Sequence, residues 1–447
     1  MTDNPCQAVQ PDYAAFIAID WADKEHAWSI QLPDSTRKKG TFKQTADDID
    51  AFVQQWITQF DGRCLAVALE QSRGALTYAL SKNPQLTLYP IHPSTSHAYR
   101  KAMLPSGAKS DPKDADLLLD LLVHHRERLR PLQPDTMETR KLQLMTEKRR
   151  QLVDQRTALT NQITDQLKLY FPLILEWFDK LERPVVAALL KRWPTLQDLQ
   201  KEDPEQLRKF FHQHHSRYDD VIETRLDQLQ KARPLTTDEA VIGTAVMTVE
   251  TLLNMVGELS KGIDAFDKAL DALAPQHPDY PIFKSFPRAG QVMTPRLMAA
   301  FGSRRERFAS AREIQTYSGI APVESASGSR CWVHFRWACP KFLRQTFHEY
   351  AELSIQGSDW ARQYYKQKRA KGSEHDAAVR ALAYKWLRIL YRCWKDRKPY
   401  DEKIAAAGKG RTPPAPKPPK PPAACGKTKG ARMKSIGEVL KSVIDQA

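Results

Sequence analysis

The chain has 447 residues, 41% hydrophobic and 9% aromatic, with a formal net charge of +15 and a pI near 9.4. That length accommodates two or three domains with buried cores, and the cationic excess points to a polyanionic partner such as nucleic acid. The opening residues lack an apolar core and no apolar run approaches the roughly 20 residues a bilayer needs, so no secretory leader and no membrane partner are expected. Six cysteines, Cys6, Cys64, Cys331, Cys339, Cys393 and Cys425, are scattered without Cys-x-x-Cys spacing. With no leader or membrane span, this pattern predicts a reduced, intracellular protein, and the expected location is the cytoplasm, in association with the nucleoid. With no P-loop or dinucleotide fingerprint, no nucleotide cofactor is expected.

In chain order, residues 14–19 are an apolar run that ends in Asp20. Residues 26–32 and 40–43 read as two further strands, joined by a polar turn around Asp34-Ser35. A helix over 46–59 places Ile49, Phe52, Val53 and Trp56 on one face. Residues 64–69 form another buried-strand pattern, ending in Glu70, followed by a helix near 74–82 and a strand over 86–91. Three strands, then helix, strand, helix and strand, is the order of a ribonuclease-H-like fold, although other α/β domains share parts of it. From 137 to 183 the chain turns helical, with Met145, Leu152 and Leu159 seven apart and Ile163 and Leu167 extending the stripe. Such a stripe predicts a coiled coil or helix-packing seam, with a contact between protomers as one outcome. Residues 184–240 are charged and helical and carry no assignable chemistry. A second long helix over 238–274 is stopped by Pro275 and Pro278.

Residues 280–400 form a basic, mostly helical segment, and beyond 407 a proline-rich stretch holds eight Lys and Arg and no acid. Its prolines preclude helix and sheet, so it is expected as an extended arm. The expected organisation is an α/β catalytic domain at 13–136, a helical, coiled-coil region at 137–279, a mostly helical domain at 280–403 and a basic tail at 404–447.

Asp20 and Glu70 each close an apolar strand, the edge where α/β sheets present functional groups. Asp111 and Asp114 are three apart in K-S-D-P-K-D-A-D, with Pro112 suited to the first helical position. Residues at that spacing share one helix face. Four such carboxylates suit hard divalent cations, and Mg²⁺ is the expected metal because it favours carboxylate and phosphate oxygens. Two ions would clamp the attacking and leaving oxygens of a phosphodiester. Asp111 and Asp114 also fit a plain capping arrangement at a helix start.

The runs F-I-A-I-D-W-A, A-L-E-Q-S-R-G-A and K-S-D-P-K-D-A-D resemble the DEDD transposases of the insertion-sequence family "one-ten", the bridge recombinases. Their N-terminal domain is similar to the Holliday-junction resolvase RuvC. The resemblance implies that Asp20, Glu70, Asp111 and Asp114 are catalytic metal ligands. After Glu70 the family usually has Ala-Thr-Gly or Ala-Ser-Gly, and this chain has Gln71-Ser72-Arg73-Gly74. A second block, F-P-R-A-G-Q-V-M-T-P-R-L followed by Gly319-Ile320-Ala321-Pro322 and Ser327-Gly328, is similar to the family's C-terminal domain. There the resemblance implies that Ser327 is the nucleophile that forms a phosphoserine, activated by the acidic tetrad of another protomer. By residues alone Ser325 and Ser329 compete with it, and no neighbouring base is identifiable. Pro287-Arg288-Ala289-Gly290 departs from the family's glycine-patterned hairpin, and residues 336–340 replace its usual lysine-glycine stretch.

Basic residues interleaved with aromatics near the end suit phosphate contact and base stacking. The candidates are Arg330, Arg336, Lys366, Arg369, Lys371, Arg380, Lys385 and Arg388. On the closing helix, Val379, Leu382, Leu387, Ile389 and Leu390 are expected inward, with Arg380, Lys385, Arg388 and Arg392 outward. Cys331, His334, Cys339 and His348 fit no standard zinc spacing, and Trp332, Phe335 and Trp337 argue instead for a packed hairpin or helix. The resemblance thus implies an RNA-guided DNA recombinase, working as a dimer or tetramer. Its partners would be donor and target DNA and a non-coding bridge RNA, and it would pass through a Holliday junction. The alternative is a metal-dependent junction endonuclease acting through water, and a third class is a non-catalytic nucleic-acid-binding protein.

Overall fold

The structure, a computed structural model, describes residues 12–103, 111–214, 218–327 and 330–402, and side chains throughout these except at 330 and 331. The chain divides into two compact units, 1–134 and 135–447.

The first unit is built on strands β1 (Ala15–Asp20), β2 (Glu25–Gln31), β3 (Arg37–Lys43), β4 (Leu65–Leu69) and β5 (Leu86–Pro90). They form one sheet in the order β3-β2-β1-β4-β5. β2 runs antiparallel to β1 and β3, whereas β1, β4 and β5 are parallel. The near-continuous apolar sequence of β4, L-A-V-A-L, is buried at every position, as a central strand covered on both faces must be. β3 starts at Arg37, ahead of the expected 40, because Arg37, Lys38 and Lys39 pair with Gln31, Ile30 and Ser29. Its charged, exposed side chains suit an edge strand.

Helix α1 (Ala46–Gln59) is capped by the Thr45 side chain, which accepts from the Asp48 amide. It buries Ile49, Phe52, Val53 and Trp56, as its periodicity predicts. With α2 (Ala75–Leu80), α1 covers one sheet face. α4 (Asp111–His125) covers the other, setting Leu118, Leu119, Leu121 and Leu122 against Ala18, Ala66 and Ala68. Each buried leucine contributes about 1.5–3 kcal/mol. α3 (Pro93–Met103) lies between β5 and α4 and buries only Ser96. Its P-S-T-S-H-A-Y-R-K-A-M run lacks an apolar stripe. Cys64 is disulfide-bonded, so the expected fully reduced state is corrected there, whereas Cys339 and Cys393 are free thiols.

In the second unit α5 (Met137–Tyr170) and α11 (Glu239–Leu273) lie side by side. Arg149 pairs with Asp267, and Arg156 donates to Ser260, so the two helices run antiparallel. The stripe of Leu152 faces this partner, since a Cβ on Gly262 would stand 3.5 Å from Leu152 Cδ1. Between them, α6 (Leu173–Trp177), α7 (Pro184–Arg192), α8 (Leu196–Gln200), α9 (Pro204–Gln213) and α10 (Asp219–Lys231) bury Trp177, Trp193, Phe210 and Phe211 against α11. The described residues of the segment 184–240 therefore form a helical layer. α11 corrects a further expectation. A stretch of it with mean hydropathy 1.5 is long and apolar enough to cross a membrane. Here its seam of Ala245, Val249, Leu252, Leu253 and Val256 packs into this core.

The remaining elements are α12 (Tyr280–Lys284), α13 (Gly290–Phe301), α14 (Ala311–Tyr317), β6 (Val323–Ser327), β7 (Arg330–His334), α15 (Lys341–Gly357), α16 (Asp359–Ala370) and α17 (His375–Asp396). They close on an aromatic core of Phe283, Phe286, Phe301, Phe347, Tyr350, Trp386 and Trp394. α17 buries Val379, Leu382, Leu387 and Leu390 as expected, together with Trp386 and Trp394, while Ile389 is only partly covered.

Asp135 ties the start of α5 to the end of α13. It accepts from the Ser303 amide at 3.0 Å, from Gln143 at 3.0 Å and from Arg307 at 3.3 Å. Gly302 makes this contact possible, with φ of 76° and space only for hydrogen, since a Cβ would stand 2.7 Å from Asp135 Oδ2 and Arg307 Nη1. Gly302→Ala is expected to lower unfolding free energy by about 1–3 kcal/mol, from backbone strain and displaced ion pair, read as a lower urea midpoint.

Candidate metal centre and candidate nucleophile

Parallel pairing of β1 and β4 sets Ile19 opposite Leu69, so the next residues, Asp20 and Glu70, emerge at the same edge of the sheet. α4 crosses this edge because its acids are tied to the strands beneath. Ser29 Oγ donates to Asp116 Oδ1 at 2.7 Å, Lys39 pairs with Asp116, and Arg37 reaches Asp120 at 2.7 Å. The N-terminus of α4 then delivers Asp111 and Asp114 to Asp20. One ligand oxygen from each of Asp20, Asp111 and Asp114 lies within 4.8 Å of the others. Asp111 is exposed, Asp20 half-buried and Asp114 only 4% exposed.

Glu70 is not part of this group of three. Its carboxylate accepts from Ser96 Oγ of α3, which holds it at the same edge. Arg100, one turn further along α3, pairs with Asp114. A carboxylate as buried as Asp114 requires a cation or donors, and Arg100 supplies a positive charge to it. An exposed capping acid would need no such partner, so the capping account does not cover Asp114. Neither Ser96 nor Arg100 stood out in the sequence, because a polar helix without an apolar stripe gives no sign of which face meets the acids. The loop after Glu70 folds back so that the Gln71 carbonyl accepts from Thr77 at 3.1 Å, and Gly74 adopts φ of 140°.

The donor set fits a hard divalent ion. Ligand oxygens on an octahedral Mg²⁺ at about 2.1 Å stand roughly 3–4 Å apart, so the three carboxylates need only a small inward adjustment. Asp111→Asn is expected to abolish a Mg²⁺- or Mn²⁺-dependent rise in melting temperature while leaving the metal-free melting temperature within about 1–2 °C of wild type, measured by thermal shift.

The turn after Asp20 is braced by His26, which accepts from the Ala22 amide at Nδ1, 3.1 Å away, and contacts Gln44 through Nε2. Burial holds the His26 pKa below the ordinary imidazole value, against the raising effect of Gln44. The unfolded chain therefore binds more protons below about pH 6.5, and stability falls as pH drops through that window. Protonation would also remove the Nδ1 acceptor. In denaturant titrations at pH 5–7, His26→Gln is expected to flatten part of this acid limb.

Ser327 closes β6 with its side chain exposed, and its hydroxyl makes no hydrogen bond to a described side chain. A base is bonded instead to its neighbour, since His334 Nε2 stands 3.2 Å from Ser325 Oγ. Ser329 lies outside the described residues. In the β6–β7 ribbon Ser325 faces Trp332 and Ser327 faces Arg330. The expected packed hairpin is corrected: Trp332 is 48% and Trp337 80% exposed. Phe335 does pack, between the Arg344 and Arg380 guanidiniums at 4.6 and 4.5 Å. Burial lowers the Arg380 pKa, with Asp376 opposing and Arg344 adding to the effect. Cys339 and His334 join no metal cluster among the described residues, Cys339 instead lying 3.6 Å from the Arg336 carbonyl.

Of the other basic candidates, Lys366, Arg369, Lys371, Lys385 and Arg388 are exposed on α16, the turn after it and α17. Lys385 lies 6.0 Å from the Tyr364 ring, and Arg369 donates to the Ser373 carbonyl at 3.1 Å. Arg392 pairs with Asp396.

Two family profiles match the chain, one described as a transposase, over residues 17–172, and one as transposase of the IS116/IS110/IS902 family, over residues 280–366. Together they span more than half of the sequence. The chain is similar to a Streptomyces coelicolor mini-circle protein named as the transposase for IS117, with 28% identity covering 88% of this chain and 96% of that one. It is also similar to a 44.8 kDa protein of insertion element IS116 from Streptomyces clavuligerus, at 24% identity over 86% and 92% of the two chains. A 43.6 kDa protein of insertion element IS110 from Streptomyces coelicolor is 23% identical over 68% and 75%.

Proposed function

We infer, since the chain belongs to the IS110 family of insertion-sequence transposases, that its acidic site and Ser327 together exchange DNA strands through a phosphoserine. As a transposase it is a DNA-processing enzyme, and its DEDD class uses divalent metal. The observation that carries the reading is the convergence of Asp20, Asp111 and Asp114 within 4.8 Å, with Glu70 at the same sheet edge. The strand order β3-β2-β1-β4-β5 with an antiparallel β2 supports a RuvC-like, ribonuclease-H-like assignment of the first unit. The antiparallel pairing of α5, at the end of the first matched region, with α11, which lies between the two, supports a coiled-coil reading of these helices.

Mg²⁺ held by these carboxylates would neutralise charge building on the phosphodiester. Asp114 is held by Arg100, and Glu70 by Ser96, so neither is free to swing at random. At Ser327 the seryl oxygen bonds to phosphorus as the bond to one sugar oxygen breaks. The serine gives up its proton and the sugar oxygen departs as a hydroxyl, so the step is balanced and the phosphoester is conserved for rejoining without ATP. The reading extends to a non-coding bridge RNA pairing with donor and target DNA, a Holliday-junction intermediate, and a dimer or tetramer. The net charge of +15 supports contact with both polyanions.

That His334 is bonded to Ser325 rather than to Ser327 favours a second reading, metal-dependent cleavage by water with no serine intermediate. Incubation with junction DNA and Mg²⁺, followed by denaturing electrophoresis, separates the two. Ser327→Ala is expected to lose every covalent protein–DNA adduct, with strand exchange down about 10³-fold or more, while folding and RNA co-purification persist. Cleavage that survives in Ser327→Ala would establish the hydrolytic reading instead.

A further inference from the structure

We propose that the exposed β6–β7 ribbon and the segment that follows it, residues 335–337, form a platform for single-stranded nucleic acid, with Trp332 stacking bases beside Ser327 and Trp337 stacking them beyond the end of β7. In this platform Arg336, Arg344 and Arg380 hold the backbone. The placement beside a scissile phosphate rests on the strand-exchange reading above; the binding itself does not.

Opposed residues of an antiparallel pair share one face, and so do residues two apart along a strand. Trp332 opposes Ser325, so its indole stands on the face that carries Ser327, about 7 Å along the ribbon at two residues of roughly 3.4 Å each. Trp332 is 48% exposed and Trp337 80%, an arrangement a soluble chain retains where a partner covers it.

The surrounding charge identifies that partner's chemistry. Arg344 and Arg380 sandwich Phe335 at 4.6 and 4.5 Å, and Arg344 Nη1 also donates to the Arg336 carbonyl. Among the described residues none of Arg336, Arg344 and Arg380 forms an ion pair with a carboxylate. Planar guanidiniums with spare donors recognise phosphate, and exposed indoles recognise the π-face of an unpaired base. Duplex DNA hides those faces within its stack. An apolar protein partner would leave the arginines without acceptors.

The test uses the full chain and labelled oligomers of about twenty deoxythymidines or uridines, alongside a duplex of equal length, with binding followed by anisotropy over a salt series. Each of Trp332→Ala and Trp337→Ala is expected to weaken single-strand binding roughly 10-fold without changing the salt slope. Trp332→Phe, which keeps an aromatic face, should retain most of the affinity. Arg344→Gln should instead lower the salt slope by about 0.7. The ratio of deoxy to ribo affinity tells whether a DNA strand or an RNA loop is preferred.

Equal affinity of a double Trp→Ala variant that melts like wild type would overturn the proposal. A smaller oligomer in sedimentation with unchanged oligonucleotide binding would do so too, assigning the face to protein contact. Wild-type protein that binds neither oligomer, yet still forms the Ser327 adduct on duplex DNA, overturns this inference alone and leaves the recombinase reading standing.

Discussion

The parallel pairing of β1 with β4 is the constraint on which the acidic site depends. Both strands are apolar almost throughout because both sheet faces are covered, so the first polar residue each can carry falls where the strand leaves the core. In-register pairing of Ile19 with Leu69 makes those exits coincide. A shift of one residue would turn every strand side chain to the opposite face and separate the two acids. The hydrophobic core of the sheet thereby sets the geometry of a charged site that lies outside it.

Bringing α4 to the same edge requires two kinds of force of very different size. Its leucines against the alanines of β1 and β4 provide most of the binding energy, at about 1.5–3 kcal/mol for each fully buried side chain. The contacts of Asp116 and Asp120 with Ser29, Lys39 and Arg37 are partly exposed and individually weak. Their role is orientation, since they fix the rotation and register of the helix and hence where Asp111 and Asp114 point. The mutual repulsion of clustered carboxylates opposes folding, and Arg100 offsets part of it at Asp114. A bound dication would add to that compensation.

The second unit follows another logic. α5 and α11 form an antiparallel spine, and each end of the spine supports its own core, one rich in Trp177, Phe210 and Phe211, the other in Phe301, Trp386 and Trp394. The ribbon that carries Ser327 stands outside both cores. Its small and polar residues, V-E-S-A-S, have little apolar area to bury, which leaves the serine exposed.

Sequence alone determined the elements whose periodicity reflects direct burial. The strands ending at Asp20 and Glu70, the face of α1 with Ile49, Phe52, Val53 and Trp56, and the inward side of α17 were all legible, because the hydrophobic effect writes a period of two or 3.6 into the chain. Asp111 and Asp114 could be seen to share a helix face for the same reason. Only the tertiary structure decided that Asp114 is buried on Arg100, that Glu70 stands beside the cluster on Ser96, and that His334 sits on Ser325. It also decided that Trp332 and Trp337 face solvent, and that α11, apolar enough for a membrane, sets one face into the core of the second unit. Those facts depend on which polar and aromatic groups from distant segments meet. A hydrogen bond or an ion pair between residues remote in sequence leaves no periodic trace in either of them.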